Sequence, residues 1–205
     1  MREARELAGT VTVLGVPMRG VQILCATRSK VLASTMTDQD GQFRAVAAGA
    51  EFVVARFTEP FVGCVAQPVS EVGASVEISV ERADIVRLSG HFELPAEVAF
   101  DWADLKLTPR LDVPPVVVLW ELEGLREAFW SRRMVQPTFE VRVLRGTWEL
   151  RAAREIDAPM ALSRPVNLGV AQVTLEDGSA PAPRFGGYEF VIAEETSVTV
   201  SLQTI

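Results

Sequence analysis

The chain has 205 residues, 48% of them apolar, and a formal net charge of −7. That length holds one large domain or two small ones, with enough apolar residues for a real core. The acidic balance argues against the basic face of a nucleic-acid binder, and no apolar run approaches the roughly 20 residues of a membrane-spanning helix. The basic residues are all arginine except Lys30 and Lys106, which with the abundance of Ala and Val fits a GC-rich bacterial genome. The opening Met1-Arg2-Glu3-Ala4-Arg5-Glu6 alternates charge and has no apolar leader segment, so cytoplasmic residence is expected.

From the start, short strand patterns are separated by turn chemistry. Residues 7–13 are apolar with a Gly-Thr in their midst, and Gly15-Val16-Pro17 is a turn signal. Strands are expected over 21–25, 31–36, 43–46, 51–57, 62–69 and 75–80. Between the second and third of these lies Thr37-Asp38-Gln39-Asp40-Gly41, where Asp caps backbone and Gly supplies a positive φ. Regular spacing without a helical period argues for an all-β sandwich or barrel. Cys25 and Cys64 fall in apolar strands and read as two buried thiols acting as small hydrophobes.

The second half repeats the plan of the first. Gly9-Thr10-Val11 is echoed by Gly90-His91-Phe92, and Val21-Gln22-Ile23 by Leu105-Lys106-Leu107. Phe43, Val46, Gly49, Phe52 and Val54 match Phe139, Val141, Gly146, Trp148 and Leu150, which reads as a hairpin with large residues on one face. Val76-Glu77-Ile78-Ser79-Val80 and Val198-Thr199-Val200-Ser201-Leu202 close the halves. The expected domains are 1–82 and 83–205, joined by a linker so short that end-to-end docking is expected. The second half is longer by an insertion in which Leu122, Leu125 and Phe129 recur at helical spacing. It predicts a short amphipathic helix within 121–134. Residues 158–165 and 177–187 read as irregular.

The run Gly9-Thr10-Val11-Thr12, Gly15-Val16-Pro17-Met18-Arg19-Gly20-Val21-Gln22-Ile23 and Thr37-Asp38-Gln39-Asp40-Gly41-Gln42-Phe43 resembles the carboxypeptidase regulatory-like domain. Met18 stands where that family has Leu, and Ala48-Gly49-Ala50-Glu51-Phe52 replaces its Pro-Gly-x-Tyr turn. In the second half Arg145-Gly146-Thr147-Trp148 fits that last turn. The resemblance implies two transthyretin-like (immunoglobulin-like) sandwiches, the second divergent. It also implies a non-catalytic accessory role, which such domains usually have; the matching residues themselves are turn chemistry and report fold, not function.

Enzyme readings find little to use. The single histidine, His91, points away from Phe92 and Leu94 and is expected at the surface, so a Ser/His/Asp or Cys/His relay lacks its base. Asp101 with Asp104, and Glu121 with Glu123, are local carboxylate pairs, and a hydrolase built on them would need an opposed carboxyl across a cleft. Two Cys and one His do not complete a four-ligand zinc site. Asp38-Gln39-Asp40-Gly41 lacks the distal ligands of a calcium loop. No cofactor is expected. The insertion supplies the candidate partner surface: Trp130 and Met134 fall off the sheet-facing side of the predicted helix beside Arg126, Arg132 and Arg133, residue types enriched at interfaces. A separate protein chain is the expected partner, with self-association left open and neither nucleic acid nor membrane insertion expected. The alternative is a carbohydrate-binding module stacking sugars on Trp102, Trp120 or Trp130. Trp148 repeats the core position of Phe52 and is set aside.

Overall fold

A computed structural model describes residues 6–69, 75–96, 99–110, 129–156, 166–184 and 187–204. Their regular structure is strand, apart from a single 3-10 turn at Arg82–Asp84. The described residues divide into two compact units: the first runs to Ile85 and also takes Arg110, and the second holds Val86–Pro109 and the described residues from 129 on.

The first unit holds β1 (Glu6–Val13), β2 (Val16–Pro17), β3 (Gln22–Ala26), β4 (Val31–Met36), β5 (Gln42–Val46), β6 (Phe52–Phe57), β7 (Gly63–Pro68) and β8 (Val76–Val80). One sheet centres on β1, with β5 and β2 antiparallel to it and β8 parallel. The other has the order β4-β3-β6-β7. The first sheet alternates cleanly: Leu7, Val11, Phe43, Ile78 and Val80 are buried, while Arg44, Glu77 and Ser79 face water. In the second sheet β3 is buried from Ile23 through Ala26, and β6 from Val53 through Ala55.

The second unit holds β9 (Ile85–Glu93), β10 (Ala103–Arg110), β11 (Trp130–Met134), β12 (Thr138–Leu144), β13 (Gly146–Ile156), β14 (Val166–Leu175), β15 (Pro183–Arg184), β16 (Gly187–Ile192) and β17 (Thr196–Thr204). The order β5-β1-β8 recurs as β12-β9-β17, and β4-β3-β6-β7 recurs as β11-β10-β13-β16. The difference is β14, which pairs with the far end of β13 and with β17 and so joins the two arrays into one sheet.

The recurrence extends to single atoms. Gly9 lies beside Val76 on the parallel strand β8, and a Cβ on it would meet the Val76 carbonyl and the Phe43 ring. Gly90 lies beside Val198 on the parallel strand β17, and a Cβ there would sit 2.5 Å from the Val198 carbonyl oxygen and 2.6 Å from Phe139 Cζ. In both units a glycine lets an aromatic ring from the third member of the sheet lie across the first strand.

Two expectations are corrected. The pattern Phe43…Gly49…Phe52 and its echo Phe139…Gly146…Trp148 are not hairpins. β5 pairs with β1 and β6 with β3 and β7, so the chain passes at Gly49 from one sheet to the other. β12 and β13 are likewise separated in the sheet order. Apolar alternation on two consecutive strands is satisfied as well by strands of different sheets as by paired ones. The helix predicted over 121–134 is also not what the described part shows. Trp130–Met134 is a strand, and 121–128 lies outside the described residues.

Candidate interaction surface

The site is built on β10. Ala103, Leu105 and Leu107 are fully buried, and Asp104, Lys106 and Thr108 alternate with them on the opposite face. This period-two pattern makes β10 a strand with one face in the core. β11 lies antiparallel to it, in the register Ala103↔Met134, Asp104↔Arg133, Leu105↔Arg132, Lys106↔Ser131 and Leu107↔Trp130. Residues opposite one another share a face. Trp130, Arg132 and Met134 therefore share the face of the buried row, and Ser131 and Arg133 share that of Asp104 and Lys106. The interface candidates, expected together on one side of a helix, are divided between two faces of a strand. Arg126 lies outside the described residues.

Arg133 is already engaged. Its Nε donates to Asp104 Oδ1 at 3.1 Å, and its guanidinium sits 4.0 Å from the centroid of the Trp102 ring. Hydrogen bonding and charge from Asp104 raise its pKa further, so it is a fixed cation. The same contacts occupy one face of Trp102 and one carboxylate of the Asp101/Asp104 pair, which weakens both the sugar-stacking and the hydrolase alternatives. Trp120, Glu121 and Glu123 lie outside the described residues. Arg132, by contrast, is exposed and makes no hydrogen bond or ion pair among the described residues. Trp130 and Met134 beside it are half-buried, and Val135 just beyond is 73% exposed. β11 ends the sheet order, and among the described residues only β10 pairs with it.

Elsewhere, several candidate residues fall where their chemistry is spent locally. His91 is exposed, and its Nε2 lies 3.5 Å from both Glu93 Oε1 and Thr199 Oγ1. A relay needs acid and hydroxyl on opposite ring nitrogens, and here both approach the same one. Ser201 donates to Glu93, not to the ring. A shallow polar depression of about 470 Å³ adjoins, lined by Ser89, His91, Gln136, Thr138, Glu140 and Ser197. Asp38 Oδ1 accepts from the backbone N–H groups of Asp40 and Gln42 at 3.0 and 2.8 Å, so that carboxylate closes the turn. Cys25 and Cys64 are buried and free. β6 separates their strands, so their Cα atoms are about 9.5 Å apart or more, beyond the ~7 Å reach of a disulfide. Burial pushes the Cys25 thiol up to about 11. It pushes Cys64 up further, against the opposing pull of Arg56. Trp148 is buried as expected, its Nε1 donating to the Leu144 carbonyl at 2.8 Å.

The sequence did not point to one buried acid. Glu149 is only 2% exposed, bonded to Arg151 and opposite Glu189 on β16. A Cβ on Gly187 would come within 2.6 Å of its Oε1, so that glycine makes the room for the carboxylate. The one available signal was Glu149-x-Arg151 set between the apolar Trp148 and Ala152.

No protein family matches the chain, and no curated protein resembles it in sequence. Solved structures that align with it include the Bacillus anthracis TIE protein (8% identity, 98% of this chain and 51% of that one, TM-score 0.30). A streptococcal ancillary pilin aligns at 10% identity over 97% of this chain and 62% of that one, with a TM-score of 0.28. The shaft pilin SpaA of Lactobacillus rhamnosus GG aligns at 12% over 99% of each chain, with a TM-score of 0.27. The chain thus spans about half the length of the first of these and 62% of the second. Two of the three are pilins, and the expected cytoplasmic placement is corrected on that finding: it is withdrawn, and no other is put in its place.

Proposed function

We propose that this chain is a non-catalytic interaction or accessory module of a bacterial system, made of two tandem transthyretin-like sandwiches over 1–82 and 83–205, and that it binds a separate protein chain through β11. The tandem reading is supported by the recurring strand order and by the matched glycines Gly9 and Gly90. The binding reading is carried by one observation: an edge strand presents Trp130, Arg132 and Met134 in a row, with no partner for Arg132 among the described residues. Trp, Met and Arg at a surface are what interface cores are enriched in.

The test is capture of partners from a bacterial lysate on the immobilised chain, with Trp130→Ala/Arg132→Ala beside the unaltered protein. A stoichiometric protein lost with the double variant is expected. Equal recovery on both would move the surface elsewhere, and capture of nothing by a well-folded chain would sink the reading.

A further inference from the structure

If β11 is the interaction surface proposed above, its edge also defines the kind of partner. β11 is a regular strand: five consecutive residues pair with β10 without a register shift, and its other edge meets no strand among the described residues. Such an edge offers a row of unpaired backbone donors and acceptors, a template for one more strand. Its side chains fix what that strand must carry. On the face shared with the buried row they run Trp130, Arg132, Met134: half-buried aromatic, exposed cation, half-buried thioether. On the other face Arg133 is neutralised by Asp104 and stacked on Trp102, so it asks for nothing.

We infer that the open edge of β11 takes an extended segment of another protein as an added strand, with a carboxylate opposite Arg132 and apolar residues two positions to either side, opposite Trp130 and Met134. The pattern, apolar-x-acidic-x-apolar, reads the same for a parallel or an antiparallel addition. It also argues against a second copy of this chain as the occupant. Antiparallel self-pairing of β11 about its centre brings Arg132 against Arg132, and like charges directly opposite are destabilising. The same cation holds off strands without an acid, which is the usual role of a charge on the inner face of an edge.

The probes are three capped nonapeptides: TTVTETVTT, its lysine counterpart TTVTKTVTT, and the glutamate peptide N-methylated at every residue, so that neither edge keeps its donors. Amide shifts of the isotope-labelled full chain are followed by NMR as each is added. The glutamate peptide is expected to move the amides of Trp130–Met134, to slow their exchange, and to bind about five- to tenfold more tightly than the lysine peptide. In Arg132→Glu the preference should reverse, and in Arg132→Ser it should vanish. N-methylation should abolish binding by either edge, because it removes the backbone donors. Binding that ignores charge, binding that survives N-methylation, or no response at β11 with the fold intact would each overturn the inference. Failure of the peptides with retained, Trp130-dependent capture of a protein would remove strand addition alone. Loss of both would remove the interaction reading with it.

Discussion

Replacing Gly90 by alanine tests the packing rule on which both units are built. Gly90 has no positive φ, so backbone strain does not enter, and the cost is steric. The new Cβ would lie 2.5 Å from the Val198 carbonyl oxygen, 2.6 Å from Phe139 Cζ and 2.8 Å from Val198 Cγ2. The two side chains can yield. The carbonyl belongs to β17, and moving it by the several tenths of an ångström required loosens the parallel pairing of β9 with β17. Overpacking costs about 1–3 kcal/mol, and the upper end applies where backbone must move. Gly15→Ala is the control: its φ is +75° but nothing lies within 4 Å of the new methyl, so about 1 kcal/mol is expected from conformation alone. Urea unfolding gives each difference, and hydrogen exchange at Phe92 and Val200 localises it to the second unit. The double change Gly90→Ala/Phe139→Leu separates the causes, since removing the ring should recover less than half of the loss. A Gly90→Ala loss no larger than that of Gly15→Ala would refute the reasoning.

Three further outcomes follow from local chemistry. Thr37 is buried, its hydroxyl donating to the Met18 carbonyl at 2.6 Å and accepting from the Val21 N–H at 2.9 Å; Thr37→Val should cost about 2–3 kcal/mol in urea unfolding, through the buried backbone groups left unpaired. Burial raises the Cys25 thiol from 9.0 to about 11, so its contribution to stability is complete below pH 9 and is lost as pH rises towards 11; native chain should leave both thiols unreacted with a disulfide reagent at neutral pH, where urea-unfolded chain reacts fully. Asp177 is held below the usual carboxylate range by the hydroxyl and N–H of Ser179. That contribution is present above the ordinary carboxylate pKa and disappears as pH falls through the lowered one; the Ser179 amide resonance should titrate with a midpoint under 3.8, and a midpoint at or above 3.8 would contradict it.

The strands of the first half were readable because each alternates or runs apolar between Gly, Pro and Asp turns; expected 31–36 is the observed Val31–Met36. What could not be read was which strands pair, since Phe43 and Phe52 present the same alternation whether their strands are neighbours or belong to different sheets. β14 escaped notice for another reason. Its alternation, Val166, Leu168, Val170, changes phase to Val173 and Leu175, and the register shift between Val170 and Gln172 is where the change occurs. A bulge breaks the period on which strand recognition depends. In the candidate site, Trp130, Arg132, Arg133 and Met134 were legible as a group because their chemistry is unusual for a surface. Their division between two faces was not, because Leu122, Leu125 and Phe129 carry helical spacing up to the residue before β11.

The two units place an edge strand at the same point of the same order, β4 in one and β11 in the other, and the two edges are defended differently. In β4 the pairing with β3 shifts between Cys25 and Ala26, leaving Leu32 without an opposite number. A bulge twists an edge and spoils it as a template. β11 has no shift, and its backbone stays in register along all five pairs. Among the described residues, what would guard it on the inference above is the charge of Arg132. A bulge excludes every added strand, whereas a single cation excludes those without an acid and admits those with one. The asymmetry therefore predicts that the nonapeptides perturb β11 and leave the amides of Val31–Met36 unmoved; perturbation of both edges alike would mean that backbone availability alone, and not Arg132, decides what this protein accepts.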